Sequence, residues 1–254
     1  MKLDGKVAII TGASKGIGEG IAVRYSEEGA VVVAASRSEQ LLKNVVERIH
    51  GSGGRALALR LDVRDPKSVD EIVRKTVDEF GRLDIMVNNA GISMAHPSEN
   101  LDPADWERAV QTDLFGVFYG CQSAARQMIA QGTGGCIINI TSMYGIVAAP
   151  MRAAYCASKA GANMLTKLLA SEWADKNIRV NAIAPGYVRT ELVQGVIDKG
   201  MLPMGAIQKR TPQGRIGEVS DLLGLAVLLA NDESSFMTGA IIPVDGGWTA
   251  YGYL

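Results

Sequence analysis

The stretch Lys6-Val7-Ala8-Ile9-Ile10-Thr11-Gly12-Ala13-Ser14-Lys15-Gly16-Ile17-Gly18 decides the fold. Its first half is a short apolar run of the kind found in a strand buried on both faces. Its second half is glycine-rich and leads into a helical pattern that reaches residue 28. Glycines between a strand and a helix let the backbone turn tightly and approach a pyrophosphate, whose oxygens then face the N–H groups of the helix start. The spacing, Gly12 to Gly16 to Gly18, is G-x-x-x-G-x-G and not the commoner G-x-G-x-x-G. A lone glycine cluster could be only a packed turn. Its place after the first strand makes it a dinucleotide cradle, with Gly12, Ser14, Lys15, Gly16, Ile17 and Gly18 as contacts.

Outward from this unit the alternation repeats. Strand patterns fall at 6–11, 30–35, 56–61, 83–88, 136–141, 178–184 and 241–244. Helical patterns fall at 16–28, 39–50, 66–80, 104–131 with a bend near Gly116, 153–175 and 219–230. The strands are Val/Ile runs without polar alternation, so both sheet faces should be covered. The fold expected is α/β, a doubly wound parallel sheet of about seven strands with helices on both faces. No linker divides the chain, which predicts one domain over 1–254. From Pro185 and Gly186 to about Ile216 the chain reads as irregular. Within it, 189–215 carries glycines and prolines (Gly195, Gly200, Pro203, Gly205, Pro212, Gly214) and reads as a substrate lid.

A formal net charge of −1 with scattered Lys and Arg offers no field for nucleic acid. Two histidines and three cysteines lack metal-ligand spacing, so no metal is expected. Cys121, Cys136 and Cys156 read as small apolar residues of a reducing cytoplasm. The most apolar helical stretch, 222–230, contains a glycine and is too short to span a bilayer. A cytoplasmic protein without a membrane partner is expected.

The end of the second strand selects the dinucleotide. A carboxylate there would hold a ribose 2′-hydroxyl. This chain reads Ala34-Ala35-Ser36-Arg37, without one. Ser36 and Arg37, with Lys15 from the loop, suit a 2′-phosphate, which favours NADP(H) over NAD(H). Asp62 and Val63, after the third strand, fall where an adenine would lie. Asp62 could equally cap the next helix, although Asp65 suits that role better.

With Asn88-Asn89-Ala90-Gly91 after the fourth strand, Ser142, Tyr155 with Lys159, Pro185-Gly186 with Thr190, and Val244-Asp245-Gly246-Gly247, the whole chain resembles the short-chain dehydrogenase/reductase family. The resemblance implies a Rossmann fold and hydride transfer between a nicotinamide and a carbonyl carbon. It makes Tyr155 the general acid or base, Ser142 the hydrogen-bond partner of the substrate oxygen, and Lys159 both a ribose ligand and the tyrosine's tuning cation. A phenol ordinarily ionises near pH 10, and a neighbouring ammonium favours the phenolate. Asn89, Ala90 and Gly91 should line the cofactor pocket, with Pro185, Gly186, Val188 and Thr190 beside the nicotinamide. One position departs from the family. Where an asparagine usually helps hold a water beside the lysine, this chain has Asp113, expected to pair with Lys159.

The pocket walls expected are the loop after Gly91 (Ser93, Met94, His96), the lid, and Met143, Tyr144, Met151 and Arg152. The overall look, with the tail Trp248-Thr249-Ala250-Tyr251-Gly252-Tyr253, is similar to dehydrogenases of sugar acids, polyols or small ketones. The alternative is a 3-oxoacyl-carrier-protein reductase, which predicts a basic patch for an acidic carrier, with Arg126, Arg152 and Arg189 as candidates. A non-catalytic dinucleotide sensor is the reading from another class; intact Ser142, Tyr155 and Lys159 argue against it. The resemblance also implies a homotetramer built on the helices at 104–131 and 153–175, with a tail that reaches a neighbouring subunit's pocket.

Overall fold

A computed structural model of the protein describes residues 1–198 and 203–252. The chain runs β1 (Val7–Thr11), α1 (Gly16–Glu27), β2 (Val31–Ser36), α2 (Glu39–Gly51), β3 (Arg55–Arg60), α3 (Pro66–Phe80) and β4 (Ile85–Asn88). It continues through α4 (Pro103–Val110), α5 (Gly116–Gln131), β5 (Gly135–Ile140), α6 (Ala153–Trp173) and β6 (Ile178–Pro185). Then come β7 (Val188–Arg189), α7 (Glu191–Asp198), α8 (Met204–Arg210), β8 (Gly217–Glu218), α9 (Ser220–Ala230) and β9 (Ile241–Val244).

Seven strands form one sheet in the order β3-β2-β1-β4-β5-β6-β9, and every pair is parallel. Side chains leave a strand alternately to its two faces. Ala8, Ile10 and Val32 therefore pack with Ile21, Leu42 and Leu222 of α1, α2 and α9. Ile9, Val33 and Met86 pack with Ile72, Val117 and Leu169 of α3, α5 and α6. Both faces are covered, as the unbroken apolar strands required. The order reverses between β1 and β4, so a crevice opens beyond their carboxyl ends. Among the described residues no helix is long and apolar enough to cross a membrane.

Two readings change. The helix expected over 104–131 is α4 and α5 joined by a π-helical turn, Gln111–Phe115, with α5 beginning at Gly116, where the bend was expected. Hydrophobic periodicity does not register one inserted residue per turn. The segment expected to be irregular contains α7, α8 and β7, which pairs with β8 just beyond it. Helices of 8 and 7 residues are too short to give a periodic signal above their glycines and prolines. Residues 199–202 of the expected lid, including Gly200, lie outside the described residues, as does Tyr253.

Candidate active site

The glycine loop is shaped by backbone that a side chain would obstruct. Gly12 and Gly16 hold φ of +65° and +62°, the region an L-residue seldom adopts. A Cβ on Gly18 would overlap Asn89 Nδ2 and the Gly12 carbonyl oxygen. Lys15 precedes α1 and its side chain makes no capping bond, which leaves the first-turn N–H groups to an anion. The donors and the bare backbone suit a pyrophosphate, so the loop fits the phosphates of a dinucleotide.

Two residues fix this cradle to the end of β4. Thr11 Oγ1 accepts from Asn89 N–H (2.9 Å) and Ala90 N–H (3.0 Å). Asn89 Nδ2 donates to the carbonyls of Thr11 (2.9 Å) and Gly12 (3.2 Å). Thr190 reaches the same loop, since a Cβ on Gly16 would lie 3.2 Å from its Cγ2. The cradle, Asn89 to Gly91, and the segment from Pro185 to Thr190 thus share one crevice. Thr11 was not among the expected site residues; a polar residue closing an apolar strand was its signal.

At the end of β2, Arg37 is exposed and Ser36 is buried. Ser36 Oγ accepts from Ser38 N–H at 3.2 Å, so its hydroxyl also closes the turn that presents Arg37. Both carboxylate oxygens of Asp62 take the Arg64 guanidinium, at 3.0 Å from Nε and 2.6 Å from Nη2. That charged hydrogen bond holds Asp62 down at about 2. Asp65, not Asp62, caps α3, accepting from Lys67 N–H at 3.0 Å. Val63 is buried against Gly116. Val188 is 5% exposed and its side chain lies in the core, so only its backbone is open to a nicotinamide.

Ser142 follows β5 in extended backbone, φ −168°, and accepts from Tyr144 N–H at 3.1 Å. The 3-10 turn Met143–Gly145 lies against α6, where Asn163 Nδ2 donates to Gly145 O at 3.0 Å. Tyr155 and Lys159 stand one turn apart on α6, with Lys159 Nζ 5.7 Å from the Tyr155 ring centre. Lys159 is 4% exposed, and its ammonium donates to Ile140 O at 3.1 Å.

The π-turn aims Asp113 inward, to 0% exposure. Its Oδ1 accepts from Ile92 N–H at 2.8 Å and lies 3.9 Å from Lys159 Nζ. Gly91 makes room for the pair, because a Cβ there would sit 2.7 Å from Asp113 Oδ1. Oδ2 is buried without a hydrogen-bond partner. Burial raises the Asp113 carboxyl above its ordinary value, against the opposing pull of Lys159 and the Ile92 N–H. Beneath the site Asn88 Nδ2 donates to Asn139 Oδ1 (2.9 Å), and Asn139 Nδ2 to Thr166 Oγ1 (3.0 Å). Sequence reasoning missed Asn139 and Thr166, although a polar residue inside the buried run 136–140 was a signal.

Over this floor stands an aromatic wall. The Tyr144 and Tyr187 hydroxyls are 2.9 Å apart, and the Tyr187 ring meets Trp248 edge-on at 5.7 Å. Burial and the Tyr187 hydroxyl push the Tyr144 phenol up, so it stays neutral. Met143, expected to face substrate, is 2% exposed and packs inward. His96 is exposed and reaches the site through its backbone, donating to Met151 O at 2.8 Å. The tail packs on its own chain, with Trp248 and Tyr251 at 4.9 and 5.3 Å from the Arg210 guanidinium. The three arginines of the carrier-protein alternative have different partners. Arg126 lines a groove between α3 and α5, Arg189 pairs with Glu218, and Arg152 bonds Ser93. Among the described residues no group of three or more His, Cys, Asp or Glu could hold a metal.

Comparison with known proteins gives the same architecture. A family profile described as enoyl-(acyl carrier protein) reductase matches residues 12–249. A 3beta-hydroxysteroid dehydrogenase 1 of Eggerthella lenta is 41% identical over 98% of this chain and 95% of its own. A 2-dehydro-3-deoxy-D-gluconate 5-dehydrogenase of Dickeya dadantii is 41% identical over 98% of this chain and 97% of its own. The crystal structure of a gluconate 5-dehydrogenase from Burkholderia cenocepacia in complex with NADP and tartrate superposes with a TM-score of 0.93 at 38% identity, over 98% and 97% of the two chains.

Proposed function

The chain belongs to the short-chain dehydrogenase/reductase family, an oxidoreductase of alcohol and ketone substrates, and on that premise we propose that it interconverts a small ketone and its secondary alcohol with NADP(H), acting on a sugar acid, polyol or related carbonyl compound. The observation that carries the reading is Lys159, a buried ammonium 5.7 Å from the centre of the Tyr155 ring and next to Gly91. An ammonium so far from water needs partners. Ile140 O accepts one of the ammonium's three N–H donors at 3.1 Å and the Asp113 carboxylate lies 3.9 Å away, which leaves a donor that a cofactor ribose hydroxyl would take.

Bound NADP(H) supplies the hydride, exchanged with the substrate carbon. The chain supplies the rest. Gly12 to Gly18 hold the pyrophosphate, Lys15 and Arg37 the 2′-phosphate, and Asn89, Gly91 and Thr190 the walls. Tyr155 gives its phenolic proton to the carbonyl oxygen as charge grows there and takes it back in alcohol oxidation. Ser142 donates a second hydrogen bond to that oxygen, because its Oγ already accepts from Tyr144 N–H. The segment 189–215 acts as the lid. The three free cysteines support a reducing, cytoplasmic setting.

The test is an activity screen with NADPH and NADH over keto-sugar acids, polyols, β-ketoesters and a 3-hydroxysteroid, beside Tyr155→Phe. We expect NADPH-linked turnover of a ketone, lost by about 10²–10⁴-fold in Tyr155→Phe. A higher kcat/KM with NADH refutes the cofactor preference. Absence of turnover with every ketone and alcohol refutes the activity.

A further inference from the structure

The turn that precedes α6 is strained. Met151 has φ of 65°, a conformation that a residue with a long side chain keeps only where its surroundings enforce it. The enforcing contact is the His96 N–H, which donates to Met151 O at 2.8 Å from the loop after β4. The strain positions the next residue. Arg152 is half-buried, with φ −125° and ψ 34°, ahead of the first helical residue. Its Nη1 donates to Ser93 Oγ at 2.8 Å, and its guanidinium lies 5.7 Å from the Tyr144 ring centre. Ser93 is two residues past Gly91, Tyr144 two past Ser142, and Tyr155 three past Arg152. The guanidinium therefore sits where the walls of the candidate site converge.

Its partners leave it incomplete. Arg189 and Arg215 meet Glu218 and Asp221. Among the described residues no carboxylate pairs with Arg152; a neutral hydroxyl takes one of its five N–H donors and a ring covers one face. A planar fork with an unused edge matches a carboxylate in two parallel hydrogen bonds.

We propose that Arg152 is a specificity-determining residue that binds the carboxylate of a small hydroxy-acid or keto-acid substrate, while Ser142 and Tyr155 hold the oxygen that reacts. This rests on the reading of the chain as an alcohol/ketone oxidoreductase and narrows its substrate class to acids. The Tyr144–Tyr187 hydroxyl pair then faces the substrate's uncharged hydroxyls. The strained turn at Met151 fixes the distance between the anion site and the reacting oxygen.

The test compares wild type, Arg152→Gln and Arg152→Lys in two measurements. One is kcat/KM with NADPH for 5-ketogluconate and for fructose, an acid and a neutral ketone. The other is calorimetric binding of gluconate and of sorbitol to the enzyme with NADP+. Loss of a charged, bidentate contact predicts that Arg152→Gln weakens both acid readouts by roughly 10–100-fold and changes the neutral ones by less than about threefold. Arg152→Lys, which keeps charge but not the fork, falls between. Equal losses for acid and neutral compounds would make the residue structural and overturn the proposal, as would unchanged acid readouts. A wild type that turns over fructose but neither binds gluconate nor reduces the keto acid overturns Arg152's role alone. A wild type that binds gluconate through Arg152 yet reduces no ketone overturns the oxidoreductase reading instead.

Discussion

Asp113 sets a carboxylate beside the ammonium on which the candidate chemistry depends, and its pH behaviour follows from where it lies. Burial is the largest influence and raises its pKa, so the native state binds its proton more tightly than the unfolded chain does. The neutral acid is therefore compatible with the fold below the ordinary carboxylate value of about 3.9. As pH rises through the elevated native value, that favourable balance is lost and the buried charge weighs against the fold. Asp113→Asn keeps an acceptor for the Ile92 N–H and carries no charge. It should melt at a higher temperature than wild type at pH 8, and the difference should close toward pH 4. A lower melting point at pH 8 would mean that attraction to Lys159 at 3.9 Å outweighs burial. Activity separates stability from chemistry. Asp113→Asn should keep at least about a tenth of wild-type kcat/KM, because the carboxylate touches the lysine and not the reacting atoms. A fall to the level of Tyr155→Phe would make the charge itself essential.

Elements explain why some of the site was legible and some was not. β1, its glycine turn and α1 could be read directly, since Val/Ile runs, glycine spacing and helix periodicity each depend on a few neighbouring residues. Tyr155 and Lys159 were legible for the same reason, one helical turn apart on α6. Tyr187 was not, because its meeting with Tyr144 joins residues 43 positions apart. Nor was Thr11 as the post that carries the end of β4, 78 positions away. Asn89 was expected in the pocket, but its grip on the glycine loop shows only in the fold. That grip makes the glycine turn and β4 one unit, and Gly18 tests it. A Cβ there overlaps Asn89 Nδ2 and the Gly12 carbonyl, so Gly18→Ala must displace the side chain that ties the two loops. Thr11 and the parallel β1–β4 pairing remain, so the fold should persist by circular dichroism. Fluorescence titration should find NADPH binding weaker by at least roughly tenfold, about 1.4 kcal/mol. Unchanged affinity would show that the cradle tolerates the shift and that Asn89 is not what shapes it.

At the scale of the molecule, the helices that build the site leave apolar surface outside it. Met164 and Leu168, one turn apart on α6, are 64% and 50% exposed. Phe115, at the end of the π-turn, is 45% exposed, and Leu114 beside it packs on Gly161 of α6. Large apolar side chains left to water on neighbouring elements suit an interface with another chain. Covering them with the same face of a second copy gives a two-fold interface. Phe236, fully exposed in the chain before the edge strand β9, offers a second surface. Two different two-fold contacts on one chain close into a tetramer with 222 symmetry. Light scattering at micromolar concentration should then give four times the chain mass of 27.0 kDa. Replacing Met164 and Leu168 together by glutamate places like charges opposite each other across the α6 face. That variant should fall to a dimer held by the other contact, with its melting temperature lowered. A wild type that runs as a monomer would sink the assembly. A tetramer unmoved by the double substitution would shift the interface to another face and free α6 for a different partner.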